Sequence, residues 1–268
     1  MKNILLPLQP DPGREARLQI ALDVTRTLDA HLECVEVRGE TIPMMGDFGG
    51  EAAALALVAY REAEQARQAA RAQIEQRLMI EDVRWSFMDS CDTLGNALAQ
   101  NADLADLIII SGRLGEPNET GSAQPQPLPL KLHRPLLAVP PIARELALDR
   151  GAVVAWDGSR PALEAVRAAI PLLARSAAVT ILEVDAPSDA ITMEAIAVYL
   201  SRHGIVADLV QRRSQSTVAA TLRDHVQASN AGLLVMGAYS TLSLAQAIFG
   251  GITRTMLATS SIPLLLAH

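Results

Sequence analysis

Residues 153–184, VVAWDGSRPALEAVRAAIPLLARSAAVTILEV, read as strand, turn, helix and strand in succession. The run Val153-Val154-Ala155-Trp156 is short and apolar, and Asp157-Gly158-Ser159 breaks it with turn residues. Leu163, Val166, Ile170 and Leu173 then recur at three- and four-residue spacing, which puts one helix face on a sheet. Val179 to Val184 is apolar again. A strand, a helix and a further strand joined by short turns predict a βαβ unit with parallel strands.

The same reading repeats in the first half of the chain. Ile4-Leu5-Leu6-Pro7-Leu8 precedes a helix marked by Leu18, Leu22, Thr25 and Leu28, and Leu32 to Val37 forms the second strand. Pro12 and Pro161 are both expected in the first turn of their helices, where a missing N–H does no harm. Both second strands carry a glutamate before the last valine, Glu36 and Glu183. Leu107-Ile108-Ile109-Ile110 matches Leu233-Leu234-Val235-Met236, and residues 135–139 match 263–267. Third strands are expected at Val83–Met88 and Ile205–Gln211.

The reading is therefore α/β: two tandem Rossmann-like domains, residues 1–143 and 144–268, each a mostly parallel five-stranded sheet with helices on both faces. The last strand of each lies at a sheet edge, and exposed edges invite pairing. An internal pseudo-dimer through these strands, or a homodimer, is the expected assembly. The halves differ in an Ala-rich helical stretch at 51–79, whose second-half counterpart, 189–202, is short.

Bulk properties exclude several classes. Of 268 residues half are hydrophobic but only 3% aromatic, so the core is aliphatic. A net charge of −7 with no basic stripe argues against a nucleic-acid partner. Cys34 and Cys91 lack Cys-x-x-Cys spacing and read as reduced thiols of a cytoplasmic protein. No apolar run suits a signal peptide or a membrane span. The five histidines show no metal-ligand spacing, and no histidine is placed to activate Ser159, so no catalytic or metal residue is assigned.

In parallel sheets ligands sit at the carboxyl ends of strands, where strand order reverses. Asp157, Val184, Met236 and Gly237 all fall at predicted strand ends, and Gly250-Gly251 opens a helix through Ile252 and Thr253. Free N–H groups at such a helix start can cradle a phosphate.

A strand ending in Asp157-Gly158-Ser159, one ending at Val184-Asp185, then Val235-Met236-Gly237 and a later Gly250-Gly251-Ile252-Thr253 resembles the universal stress protein family. Its nucleotide-binding members carry Gly-x-x-Gly, nine residues, then Gly and Ser or Thr. Gly237 and Gly250 match that pattern, whereas Ser240 replaces the second glycine and Gly251 the Ser/Thr. The resemblance implies an adenine nucleotide, ATP or AMP-like, in the second domain, with Mg²⁺ only if a triphosphate binds. It sets Asp157 against the adenosine, the Val184 backbone against the adenine, and Met236 near the base. Gly237, Gly250, Gly251, Ile252 and Thr253 complete the contacts. Losing one hydroxyl to a charged phosphate costs roughly 1.5–3 kcal/mol, which weakens triphosphate binding most.

The first domain departs further. Gln9 stands at the acidic position, Ser111 at the first glycine, and Pro125, Pro127 and Pro129 fall where the phosphate-binding helix begins. The resemblance implies a non-enzymatic stress-response regulator with a protein partner. An interaction module that has lost nucleotide binding, and a slow ATPase, are the alternatives.

Overall fold

The computed structural model describes residues 1–37, 50–90, 94–112, 132–185, 191–238 and 251–268. The first half runs β1 (Asn3–Pro7), α1 (Arg14–Leu28), β2 (His31–Val37), α2 (Gly50–Ile80), β3 (Arg84–Ser90), α3 (Leu94–Ala102), β4 (Leu107–Ser111) and β5 (Leu136–Val139). A 3₁₀ turn, Leu148–Arg150, leads into the second half. There β6 (Ala152–Trp156), α4 (Arg160–Leu173), β7 (Val179–Val184), α5 (Met193–Ser201) and β8 (Ala207–Arg212) precede α6 (Val218–Ser229), β9 (Leu233–Gly237), α7 (Gly251–Thr259) and β10 (Leu264–Ala267).

The two predicted sheets are joined edge to edge into one of ten strands, ordered β3-β2-β1-β4-β5-β10-β9-β6-β7-β8. Every pairing is parallel except β5 with β10, which run antiparallel with Leu137 opposite Leu265. Parallel strands carry side chains alternately to the two faces, and both faces are closed by helices. Ile4, Leu6, Leu22, Val166, Leu137 and Leu265 pack under α1 and α4 on one face. Leu5, Ile108, Leu98, Leu222, Met256 and Leu264 pack under α3, α6 and α7 on the other. Each core runs unbroken across the seam.

Local signals fix the helix starts. Ser159, Thr192 and Thr217 cap α4, α5 and α6, each hydroxyl accepting from a backbone N–H three residues on; each such cap stabilises by about 1 kcal/mol. Pro161 lies in the first turn of α4 as predicted. Pro12 does not lie in α1, which starts at Arg14 because Asp11 Oδ1 accepts the Gly13 amide at 2.7 Å and holds a turn there. Strand ends otherwise differ from the sequence reading by one or two residues. The pairing of β2 with β3 carries the third strand out to Ser90, and that of β7 with β8 carries it to Arg212.

Cys34 is fully buried in β2, and burial pushes its thiol up to about 12. In a Cys91→Ser chain, Cys34 is expected to stay unlabelled by a thiol-specific disulfide reagent at pH 8 until denaturant unfolds the protein. Stoichiometric labelling of the native chain would contradict its placement. Cys91 itself lies outside the described residues, as do Met44, Met45, Gly46 and Gly49. Among the described residues no helix is long and apolar enough to cross a membrane.

Candidate functional site

In the second half the chain leaves β6 for β7 and β8 on one side, then returns to β9 and β10 on the other. The order reverses between β6 and β9, so their carboxyl ends diverge and leave a crevice. A cleft lies there, walled by Trp156 and Asp157 from β6 and its turn, Leu182 and Val184 from β7, and Met236 and Gly237 from β9. Val218 and Leu222 of α6 and Ile252 of α7 close the sides. Four separate chain segments thus bring Asp157, Val184, Met236, Gly237 and Ile252 to one place.

Asp157 is the one acidic side chain on this lining, and it is exposed. Its Oδ1 accepts the Ser159 amide at 3.0 Å, which fixes the turn and leaves Oδ2 directed by a carboxylate already anchored. Gly158, at φ +69°, makes that turn possible. Asp185, just past Val184, sits in the left-handed region at φ 49° and accepts from the Ser214 amide at 3.2 Å. That bond ties the end of β7 to the loop leading into α6. The Trp156 indole donates to the Ile191 carbonyl at 2.8 Å and packs in the core on the α1 and α4 face of the sheet, while its strand end borders the cleft. On α6, His225 is held below the ordinary histidine range, first by burial and then by Arg212.

Gly237 has a packing reason beyond any ligand. A Cβ there would stand 2.5 Å from the Ala162 nitrogen, so glycine lets the start of α4 rest directly on the end of β9. Gly251 begins α7, is exposed, and has open space around it. Thr253 does not line the cleft. It is 4% exposed and shares the core face of α7 with Met256 and Leu257, because helical phase turns it away from the side that carries Ile252. Gly250 and Ser240 lie outside the described residues.

The residues that sequence reasoning missed are Trp156, Leu182, Val218 and Leu222. Val218 and Leu222 are four apart on α6, a spacing that reads as ordinary core contact. The cleft is narrow, with about 60 Å³ of free space, so any nucleoside requires it to widen. A roomier open crevice of about 770 Å³ lies at the seam, bordered by His133, Arg134, Arg160, Arg167 and His268. It lies on the α4 side, apart from the strand-end cleft, and Arg160 and Arg167 both reach Glu164 there, at 3.6 and 3.0 Å. Among the described residues no group of three or more His, Cys, Asp or Glu could hold a metal ion.

No protein-family model matches the chain, and no curated protein does. Solved structures do match along its whole length. A universal stress protein from Archaeoglobus fulgidus DSM 4304 superposes with a TM-score of 0.74 at 14% identity, covering 99% of this chain and 97% of that one. The fold is that of a universal stress protein. A protein of unknown function from Pseudomonas aeruginosa PAO1 also matches, with TM-score 0.60, 14% identity and coverage of 100% and 92%. Because the A. fulgidus match spans nearly all of both chains, the arrangement of the whole chain is shared, while identity this low carries the fold alone.

In the first half of this universal stress protein fold the same register puts Gln9 opposite in role to Asp157, and Ser111 to Gly237: β1 pairs Ile4 with Leu107 as β6 pairs Ala152 with Leu233. Both positions are tied together by Arg17 of α1, which is 1% exposed. Its guanidinium donates to the Gln9 carbonyl at 3.0 Å, to both Asp11 oxygens at 2.8 and 2.7 Å, and to the Ser111 hydroxyl. Removing one partner of such a buried pair leaves an uncompensated charge, so the strand ends here are held closed. Pro125, Pro127 and Pro129 lie outside the described residues.

Proposed function

We propose that the chain is a regulatory protein of two domains, meeting near residues 143 and 144, whose second domain binds an adenine nucleotide in the cleft between β6 and β9. The observation that carries this reading is the convergence of Asp157, Val184, Met236, Gly237 and Ile252, from four chain segments, on one strand-end crevice. Its chemistry suits a nucleoside. The walls from Val184, Met236, Leu222 and Ile252 are apolar and fit a flat base, and Asp157 offers acceptor oxygens to ribose hydroxyls. Backbone groups at Val184 reach the base edge, and Gly237 lies beside the sugar. Phosphates lie toward Gly251 at the start of α7, whose first-turn N–H groups favour an anion. Thr253, being buried, holds α7 in place and donates no hydroxyl. A divalent ion enters only with a triphosphate, since Asp157 is the one carboxylate on the lining.

The test uses Trp156 as its own reporter. In a Trp85→Phe chain the remaining indole lies on β6, one residue from Asp157, so AMP, ADP or ATP is expected to change its fluorescence saturably at or below millimolar concentration, and GTP much less. Asp157→Ala should weaken this about tenfold, the loss of roughly 1.4 kcal/mol expected for hydrogen bonds to a charged group. Nucleotide at about 100 times its Kd adds about 2.7 kcal/mol of stability, visible as a higher melting temperature. The narrowness of the cleft favours a second reading, an interaction module without a ligand. No fluorescence change, no thermal shift and no nucleotide released from heat-denatured protein would establish that reading instead.

A further inference from the structure

An excess of positive charge, unusual on so acidic a chain, lies in the open crevice at the seam. The whole chain carries 23 Lys and Arg against 30 Asp and Glu. The crevice is lined instead by three arginines, two histidines and a single carboxylate, that of Glu164. Its walls come from both halves. Arg134 precedes β5, and its guanidinium donates to the Asp103 carbonyl. Arg160 and Arg167 stand on α4. His268 follows β10, its ring hydrogen-bonded to the Ala238 carbonyl at 2.9 Å. The antiparallel pairing of β5 with β10 sets the start of one strand beside the end of the other, so the crevice is a product of the joined halves.

Arg160 and Arg167 are two helical turns apart, so they share one face of α4 with Glu164 between them. Both guanidinium groups meet the same oxygen, Glu164 Oε1, at 3.6 and 3.0 Å. That oxygen marks the place where two arginines grip one anionic atom. All three cations are arginines, whose planar fork pairs bidentately with phosphate. The rest of the lining offers little to an apolar body: Pro135, Ala168 and Ala267 are its apolar residues, and no Phe, Tyr or Trp is among them. A small hydrophilic anion suits such walls, and a nucleoside does not. The free volume of about 770 Å³ admits one with several phosphoryl groups.

We propose that the seam crevice binds a condensed phosphate, an inorganic chain of two or more phosphoryl groups, between Arg134 of the first half and the Arg160 and Arg167 pair of the second. One phosphoryl group engages the pair, displacing Glu164 from it, and a further group is held by Arg134. A lone phosphate or sulfate meets only one of these two anchors and binds more weakly. The overall charge of −7 opposes any polyanion, but in about 0.1 M salt that repulsion is screened beyond roughly 10 Å, so the arginines at contact distance decide. This site is separate from the cleft between β6 and β9 and does not depend on whether that cleft takes a nucleotide.

Titration calorimetry of the full chain with sodium tripolyphosphate tests this. The expected result is saturable binding at one site, tighter than that of sulfate or citrate at the same ionic strength. Arg167→Gln should weaken it about fivefold, the scale of one solvent-facing ion pair. Glu164→Gln should instead strengthen it severalfold, because it removes the carboxylate that competes for both arginines, and a gain of this kind cannot come from misfolding. Saturating adenosine, which carries no phosphate, should leave the titration unchanged. The proposal is overturned by any of four results: no saturable heat, citrate binding as tightly as tripolyphosphate, displacement by adenosine, or an affinity that Arg167→Gln does not lower and Glu164→Gln does not raise.

Discussion

Gly232→Val is expected to lower the melting temperature by about 10 °C, although the residue lies far from the cleft. Gly232 sits just before β9, where the connection between the two halves passes over it. A Cβ placed there would stand 1.9 Å from the Ala147 carbonyl oxygen, 2.5 Å from its carbonyl carbon and 3.0 Å from its Cα. All three are backbone atoms, so no rotamer change relieves the contact. The Gly232 amide also donates to the Gly151 carbonyl at 3.0 Å, which ties the start of β9 to the start of β6. Valine must therefore push the connection outward or break that bond. Forced overpacking against fixed backbone costs about 3 kcal/mol, and at 2–4 °C per kcal/mol for a chain of this size the shift is about 10 °C. Gly95→Ala is the matching control. Gly95 lies in α3 with open space at its Cβ position, so alanine there should be neutral or stabilise by about 0.5–1 kcal/mol. Comparable melting temperatures for the two variants would show that the connection does not press on Gly232.

Contacts of this kind explain what was legible in the sequence. β6, α4 and β7 follow directly from an aliphatic run, a three-and-four spacing and a second aliphatic run, since burial on both sides of a parallel sheet leaves that imprint on the residues themselves. The joining of β5 to β10 is foreshadowed by their pure aliphatic content, with Leu136 to Val139 and Leu264 to Leu266 fully buried. Arg17 could not be read in the same way. An arginine in an amphipathic helix looks like a solvated residue, and its burial exists only because Asp11 and Ser111, distant from it in sequence or turned toward it by a bend, reach it in the fold. The cleft divides similarly. Asp157, Val184, Met236 and Gly237 were marked by standing at strand ends, whereas Val218 and Leu222 carry no mark that separates a cleft wall from core. Thr253 stands apart from them: with Met256 and Leu257 it falls on the buried phase of α7, which the helical spacing already marks.

The second large effect concerns the seam. Leu265→Asp is expected to unfold both halves together, with loss of any cooperative thermal transition. Leu265 is fully buried, paired with Leu137 across the antiparallel junction and with Val235 on its other side. Removing the leucine forfeits about 2–5 kcal/mol of burial and cavity energy. A carboxylate at this place stands inside an apolar cluster, which adds several kcal/mol whether it ionises or is protonated. The sum reaches the 5–15 kcal/mol by which ordinary domains are stable at all. Both cores cross the junction, so neither half keeps a closed core once it opens. One tryptophan in each half makes this measurable: Trp85 in β3 and Trp156 in β6. In single-tryptophan chains lacking the aspartate, urea curves from the two reporters should coincide in midpoint and slope, the mark of one cooperative unit. If the Trp85 transition instead precedes the Trp156 transition, the halves are energetically separate. Leu265→Asp should then unfold the second half while the Trp85 signal persists, and the shared sheet would be a contact between two independent domains.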